Sequence, residues 1–331
     1  MERVARFPAR ERSELFSESA AQKGTTPAVV EKDFWVTWVL YRLFREPDLA
    51  RLLIFKGGTS LSKAYHLIER FSEDIDLVLD WRILSGEDPL GERSRTKQSR
   101  LNTALNKQAK QYIGGELLRL VEAALDGVCD CRVDTNDPHV IVINYPAAFP
   151  DDYLRPEVLL EIGPLASWLP HEERWISCYV ADVFPDVFEQ RACAVKVIKA
   201  ERTFWEKATI LHHEAHRPEE NPQPPRYSRH YYDLAKMAQS PVKAQALADS
   251  GLLASVVEFK QRFYPRGWAR YDLAKPGTLK LVPEEHVLAS VRSDYRAMEN
   301  MIFGEMPDVD EMMSVLQELQ EEINELPESA G

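Results

Sequence analysis

The chain has 331 residues, 44% of them hydrophobic and 28% charged, with a formal net charge of −12. This balance excludes a disordered or fibrous chain and leaves room for one large or two ordinary globular domains. The acidity argues against a surface devoted wholly to nucleic acid, but not against a local basic patch.

The N-terminal stretch MERVARFPARERSELF is charged and has no apolar run, so no secretory leader is expected. A short amphipathic helix is predicted around Ala9–Gln22. Thr26 can cap the next helix, with Pro27 at its first position. Val30, Phe34, Val36, Trp38, Leu40, Tyr41 and Phe44 then make the segment Val29–Phe44 apolar over much of its surface, the pattern of a well-buried helix. Glu31, Lys32 and Asp33 near its start read as a solvated turn with a structural role first and a site role second.

The segment FKGGTSLSKAYHLIERFSEDIDLVL, Phe55 to Leu79, reads as a strand entry, a Gly-Gly-Thr-Ser turn, an amphipathic helix and a second strand. Gly57 and Gly58 let the backbone approach a ligand, and the helix that follows can offer free N–H groups to a phosphate. Asp74 and Asp76, two residues apart on the strand, share a face. Two carboxylates there repel unless a divalent cation lies between them. Mg²⁺ suits such a pair, because it takes a few carboxylates and completes its shell with substrate phosphates. The parts suit a metal-dependent nucleotidyl transferase. The stretch lacks the GK[ST] ending of a Walker A loop.

Residues 92–111 hold Arg93, Arg95, Lys97, Arg100, Lys107 and Lys110 against a single acid, Glu92. They form either an exposed helix face or a patch for RNA phosphates, and the helix is expected to continue through Ile113–Leu125. Strands are predicted at Cys129–Val133, Val140–Tyr145 and Val158–Ile162, with a loop over 146–156. Glu161, the one charge inside VLLEI, is costly there unless paired or on a metal. Residues 164–192 read as irregular. The cysteines Cys129, Cys131, Cys178 and Cys193 match neither a disulfide framework nor a zinc motif, so reduced thiols in the cytoplasm are expected.

A strand near Cys193–Ile198 leads to a helix over Ala200–His216, where Lys207 lies amid Phe204, Trp205, Ile210 and Leu211. It either snorkels or reaches an anion. HHEAH at 212–216 lacks the spacing of a zinc protease motif. After the proline-rich loop 217–226, Ser228 is a candidate cap of a helix on which Arg229, His230 and Asp233 share a face; the simple reading is an Arg229–Asp233 pair. The last helix carries an apolar stripe of Met312, Val315, Leu316, Leu319 and Ile323. No segment is long and apolar enough to span a membrane, and no membrane partner is expected.

GGTSLSKAY followed by RFSEDIDL, preceded by EKD and aromatics and followed by TFWEK, resembles the AbiEii/AbiGii-type nucleotidyltransferase toxins. These are a branch of the polymerase-beta-like nucleotidyltransferase superfamily. The resemblance implies an α+β fold, with a mixed-sheet nucleotidyltransferase lobe over 1–195, a mostly helical lobe over 196–331, and the site in the cleft between them. It implies Asp74, Asp76, Lys207 and Asp233 as catalytic residues. Gly57, Gly58, Thr59, Ser60, Ser72, Lys207 and Arg229 would bind nucleotide, and Asp74, Asp76 and Glu161 would hold Mg²⁺. It further implies an NTP as substrate, a tRNA 3′ end as acceptor, and a toxin with an antitoxin encoded nearby, acting in abortive phage defence. A protein hydroxyl as acceptor, or a degenerate module that only binds nucleotide, are the alternatives.

Overall fold

The computed structural model describes residues 1–149, 155–303 and 306–327. The chain divides into two units: Met1–Ala64, Ser72–Pro89 and Arg100–Ile198 form one, and Tyr65–Phe71, Leu90–Ser99 and Lys199–Gly331 the other. A mixed sheet in the first and helices in the second make the α+β architecture expected from the sequence. Part of the predicted loop over 146–156 lies outside the described residues.

The first unit is built on seven strands: β1 (Leu53–Lys56), β2 (Ile75–Leu79), β3 (Asp130–Val133), β4 (Val140–Asn144), β5 (Glu157–Gly163), β6 (His171–Ser177) and β7 (Ala192–Ile198). Their order is β3-β4-β5-β2-β1-β7-β6. β2 runs antiparallel to β1 and parallel to β5, and β1 runs parallel to β7. The helix Pro27–Arg45 packs against β5 and β7. Thr26 caps it as predicted, its hydroxyl accepting from the Val29 amide at 3.3 Å. Trp35 lies edge-on to Phe34 and Trp38 and stacks on Tyr145 at 5.5 Å, so the aromatic run of this helix forms the centre of the core.

Three sequence expectations change. Strand β6 lies in the stretch 164–192 read as irregular. Its HEERWIS sequence opens with four polar or charged residues and so shows no apolar alternation; the strand lies at one edge of the sheet, and Trp175 on it is 63% exposed. The helix after the glycines ends at Lys63, short of the amphipathic run expected from the sequence. The long helix from Arg95 does continue to Leu125, but through a π-helical turn at Ile113–Leu117.

The second unit contains the helices Ala200–Glu214, Ser228–Ala238, Pro241–Leu247, Ser250–Phe263, Glu285–Ala297 and Val309–Asn324. The last packs on Ser228–Ala238, buries Met312, Leu316, Leu319 and Ile323, and starts in a capping box of Asp308 and Glu311. Residues 65–71 join this unit. An isolated bridge pairs Arg70 with Ile302, the Phe71 amide donates to the Met301 carbonyl at 2.6 Å, and the Phe303 amide donates to the Glu69 carbonyl at 2.8 Å.

Candidate active site

The Gly-Gly-Thr-Ser stretch is the opening of a short helix, and its parts divide between bracing and presentation. Gly57 has φ +78°, a left-handed conformation that suits glycine. A Cβ built on it would overlap the Asp76 carboxylate, so Asp76 is seated directly over the glycine. Thr59 and Ser60 are fully buried. The Thr59 hydroxyl contacts Ser72 Oγ at 2.9 Å and donates to the Asp74 carbonyl, while the Ser60 hydroxyl donates to the Gly57 carbonyl at 2.8 Å. As placed, the Thr59 hydroxyl ties the turn to the entry of β2, and the Ser60 hydroxyl closes the turn on itself. Gly58 is buried; Gly57, Ser72, Asp74 and Asp76 are half-buried.

Asp74 immediately precedes β2 and Asp76 is its second residue. Asp76 pairs in register with Lys56 on β1 and with Glu161 on β5, so Lys56, Asp76 and Glu161 form a row across one face. On the same face Val78 packs with Ile54 and Ile198 under Ala166 and Trp168. Glu161 is exposed, which removes the desolvation cost inferred from its apolar neighbours in sequence. Among the described residues no three His, Cys, Asp or Glu side chains form a group able to hold a metal. The candidate donors that remain, Asp74 and Asp76 with Gly57 beneath the second carboxylate, are of the type that Mg²⁺ takes. That ion is usually held by one or two carboxylates and completed by phosphate oxygens and water.

In the second unit Asp233 is fully buried, and its partner is not the Arg229 that helical spacing suggested. Arg70 grips it with a fork, Nε to Oδ1 at 2.6 Å and Nη2 to Oδ2 at 2.8 Å. Lys207 Nζ reaches Oδ2 at 2.7 Å and lies 3.0 Å from His230 Nδ1. Lys207 therefore does not snorkel; it is buried and turned toward a carboxylate. Burial alone would raise the Asp233 carboxyl, but Arg70 and Lys207 overrule it and hold it well below the usual range. Burial lowers Lys207, against the opposing pull of Asp233, and with the neighbouring cations it drives His230 well below an ordinary imidazole. Arg229 is half-buried on the same helix. Arg70 is the residue the sequence reading missed. It opens the RFSEDIDL segment, yet 163 positions separate it from Asp233, beyond any local spacing rule.

Other candidates resolve into structural roles. Glu31, Lys32 and Asp33 are buried, contrary to a solvated turn. Glu31 accepts from the Ala148 and Phe149 amides, Lys32 pairs with Glu73 at 3.2 Å, and Asp33 pairs with Lys63 and accepts from the Tyr179 amide at 2.7 Å. His212 joins the Arg270 carbonyl and the Lys280 amide, and burial lowers it to about 4, so it is a neutral bridging group. Ser228 is the first helical residue and not the cap; Asp294 supplies that role, accepting from the Ser228 amide and hydroxyl at 2.9 and 2.6 Å. In the basic segment Arg95, Lys97, Arg100, Lys107 and Lys110 are exposed on one helix.

No helix among the described residues is long and apolar enough to cross a membrane. Comparison with curated proteins finds no match. Among solved structures, MenT4, a nucleotidyltransferase toxin from Mycobacterium tuberculosis H37Rv, is similar over 95% of this chain and 98% of its own, at 17% identity and a TM-score of 0.45. The family model described as nucleotidyl transferase AbiEii toxin, type IV toxin–antitoxin system, matches residues 38–318. That span takes in the glycine turn, the D-x-D strand, Lys207 and Asp233, and the chain belongs to this family of nucleotidyltransferase toxins.

Proposed function

We propose that this toxin transfers a nucleoside monophosphate from an NTP to the 3′ hydroxyl of a tRNA, with Mg²⁺ as cofactor. The acceptor oxygen forms a bond to the α-phosphorus, the bond from that phosphorus to the bridging oxygen breaks, and pyrophosphate leaves. The seating of the Asp76 carboxylate over Gly57, with Asp74 two residues before it in the chain, carries this reading. Asp74 and Asp76 would hold the cation, which supplies charge neutralisation of the triphosphate when bound. Gly57 and Gly58 admit the phosphates close to the backbone, and Thr59, Ser60 and Ser72 keep that turn in shape. Lys207 contributes positive charge to the phosphates, oriented by Asp233, and Arg229 assists on the same helix. Glu161 is assigned to the acceptor hydroxyl as proton acceptor. The exposed cations from Arg95 to Lys110 offer the acceptor RNA a track for its backbone, which reconciles an acidic protein with a nucleic-acid substrate. The partner antitoxin follows from the family, and the cytoplasm is the compartment where NTP, tRNA and reduced cysteines coincide.

The test is a label-transfer assay with each α-labelled NTP, Mg²⁺ and total tRNA, run beside an Asp74→Ala/Asp76→Ala variant. Label in the tRNA band that disappears in the variant supports the reading and names the nucleotide. Label in protein would move the acceptor to a protein hydroxyl. Label nowhere, with nucleotide still bound, would leave a binding module.

A further inference from the structure

We propose that Arg70 is a positioning residue of the transferase, fixing both oxygens of Asp233 so that Asp233 can fix the ammonium of Lys207. The inference rests on the role given to Lys207 above. A single hydrogen bond leaves a carboxylate free to swing; a guanidinium fork bonded to both oxygens sets its plane. Arg70 makes both bonds, at 2.6 and 2.8 Å, and Lys207 then meets Oδ2 at 2.7 Å. All three side chains are buried, so water does not compete for these bonds.

Arg70 can act this way because its own backbone is held. The segment that carries it is bonded on one side to residues 301–303, through Phe71 to Met301 and Phe303 to Glu69. On the other side it meets the helix of Asp233: the Glu69 amide donates to the Tyr232 hydroxyl at 3.3 Å, and Lys236 pairs with the Glu69 carboxylate at 2.9 Å. Phe71 stands edge-on to Phe303. The residues flanking Arg70 in sequence and those flanking Asp233 in its helix are thus tied together independently of the fork. Arg70 touches no reacting atom; its effect passes through Asp233.

The experiment compares Arg70→Lys, Asp233→Asn, their combination, and Lys207→Ala, measuring kcat and KM for the NTP by label transfer and Tm for each protein. Arg70→Lys keeps the charge and loses the fork, so the expected result is a fall in kcat of about a hundredfold, as for an ångström-scale misplacement, with KM within about threefold of wild type. Because Arg70 acts only through Asp233, adding Arg70→Lys to Asp233→Asn should cost nothing further. Should Arg70→Lys not fold, Arg70→Gln, whose amide still donates to one oxygen, carries the same comparison. An unchanged kcat in Arg70→Lys, or losses that multiply in the double variant, overturns the proposal. If Lys207→Ala transfers label normally, the role of Lys207 itself is wrong; if it is inactive while Arg70→Lys is normal, only the role of Arg70 fails.

Discussion

Gly57→Ala is the sharpest single test of the site geometry, because two separate costs meet at one atom. Gly57 sits at φ +78°, and left-handed backbone costs an L-residue about 1–2 kcal/mol. The new Cβ would also occupy the position of the Asp76 carboxylate. Clearing it forces Asp76 off its rotamer or shifts β2, at a further cost of about 1–3 kcal/mol. The expected total is about 2–5 kcal/mol, a Tm lowered by roughly 5–15 °C for a unit of this size. Transfer activity should fall at least about a hundredfold, since the carboxylate proposed to hold the cation is the group displaced. The carboxylate's share of the cost is relieved in an Asp76→Ala background, where the backbone cost and a 2.9 Å approach to the remaining Cβ persist. Unfolding curves for the wild type, both single variants and the double variant therefore give a coupling of about 1–3 kcal/mol. Additive effects would show that the methyl group does not meet Asp76. A Gly57→Ala protein with wild-type Tm and activity would refute the geometry altogether.

Four further outcomes are expected. Asp233→Asn leaves Arg70 and Lys207 facing a neutral amide in a buried site, which should cost about 3–5 kcal/mol in chemical denaturation. The folded-state carboxyl of Asp233 lies below its unfolded value, so its contribution is fully present above the unfolded pKa of about 3.9 and is lost as pH falls through the folded value. The acid limb of a stability–pH curve should accordingly flatten in the variant, and an unchanged limb would contradict the pairing. Changing Lys97, Arg100, Lys107 and Lys110 together to Gln should weaken tRNA binding and reduce its salt slope by about one for each phosphate that the helix no longer neutralises; equal slopes would show that this helix does not meet RNA. Asp294→Ala removes the cap of the Ser228 helix and should lower stability by about 1 kcal/mol. Trp175→Ser, at an exposed edge position, should change stability by less than about 0.5 kcal/mol in either direction, and a larger loss would mean the side chain is covered in solution.

Features under local chemical control are legible along the chain. Apolar periodicity marks the helix Pro27–Arg45, and Thr26 and Pro27 fix where it starts. β-branched runs mark β4, β5 and β7, and the glycine pair with the D-x-D strand identifies both the family and the acidic face. Charge alone misleads where burial is decided at a distance. Glu31, Lys32 and Asp33 look solvated in sequence, yet their partners come from positions 63, 73, 148, 149 and 179. Strand β6 is invisible in the sequence because its first four residues, His171 to Arg174, are all polar or charged and show no apolar period.

Which charges meet is settled by the packing of the elements. Helical spacing offers Asp233 a neighbour in Arg229, worth a few tenths of a kcal/mol; the fold gives it Arg70 and Lys207 instead. The fold also turns Thr59 and Ser60 inward to brace the turn, and sets Asp76 over Gly57 beside Glu161 on the next strand. A sequence pattern carries period and propensity along one element. The pairing of buried charges depends on which elements pack together, and that information lies between residues far apart in the chain.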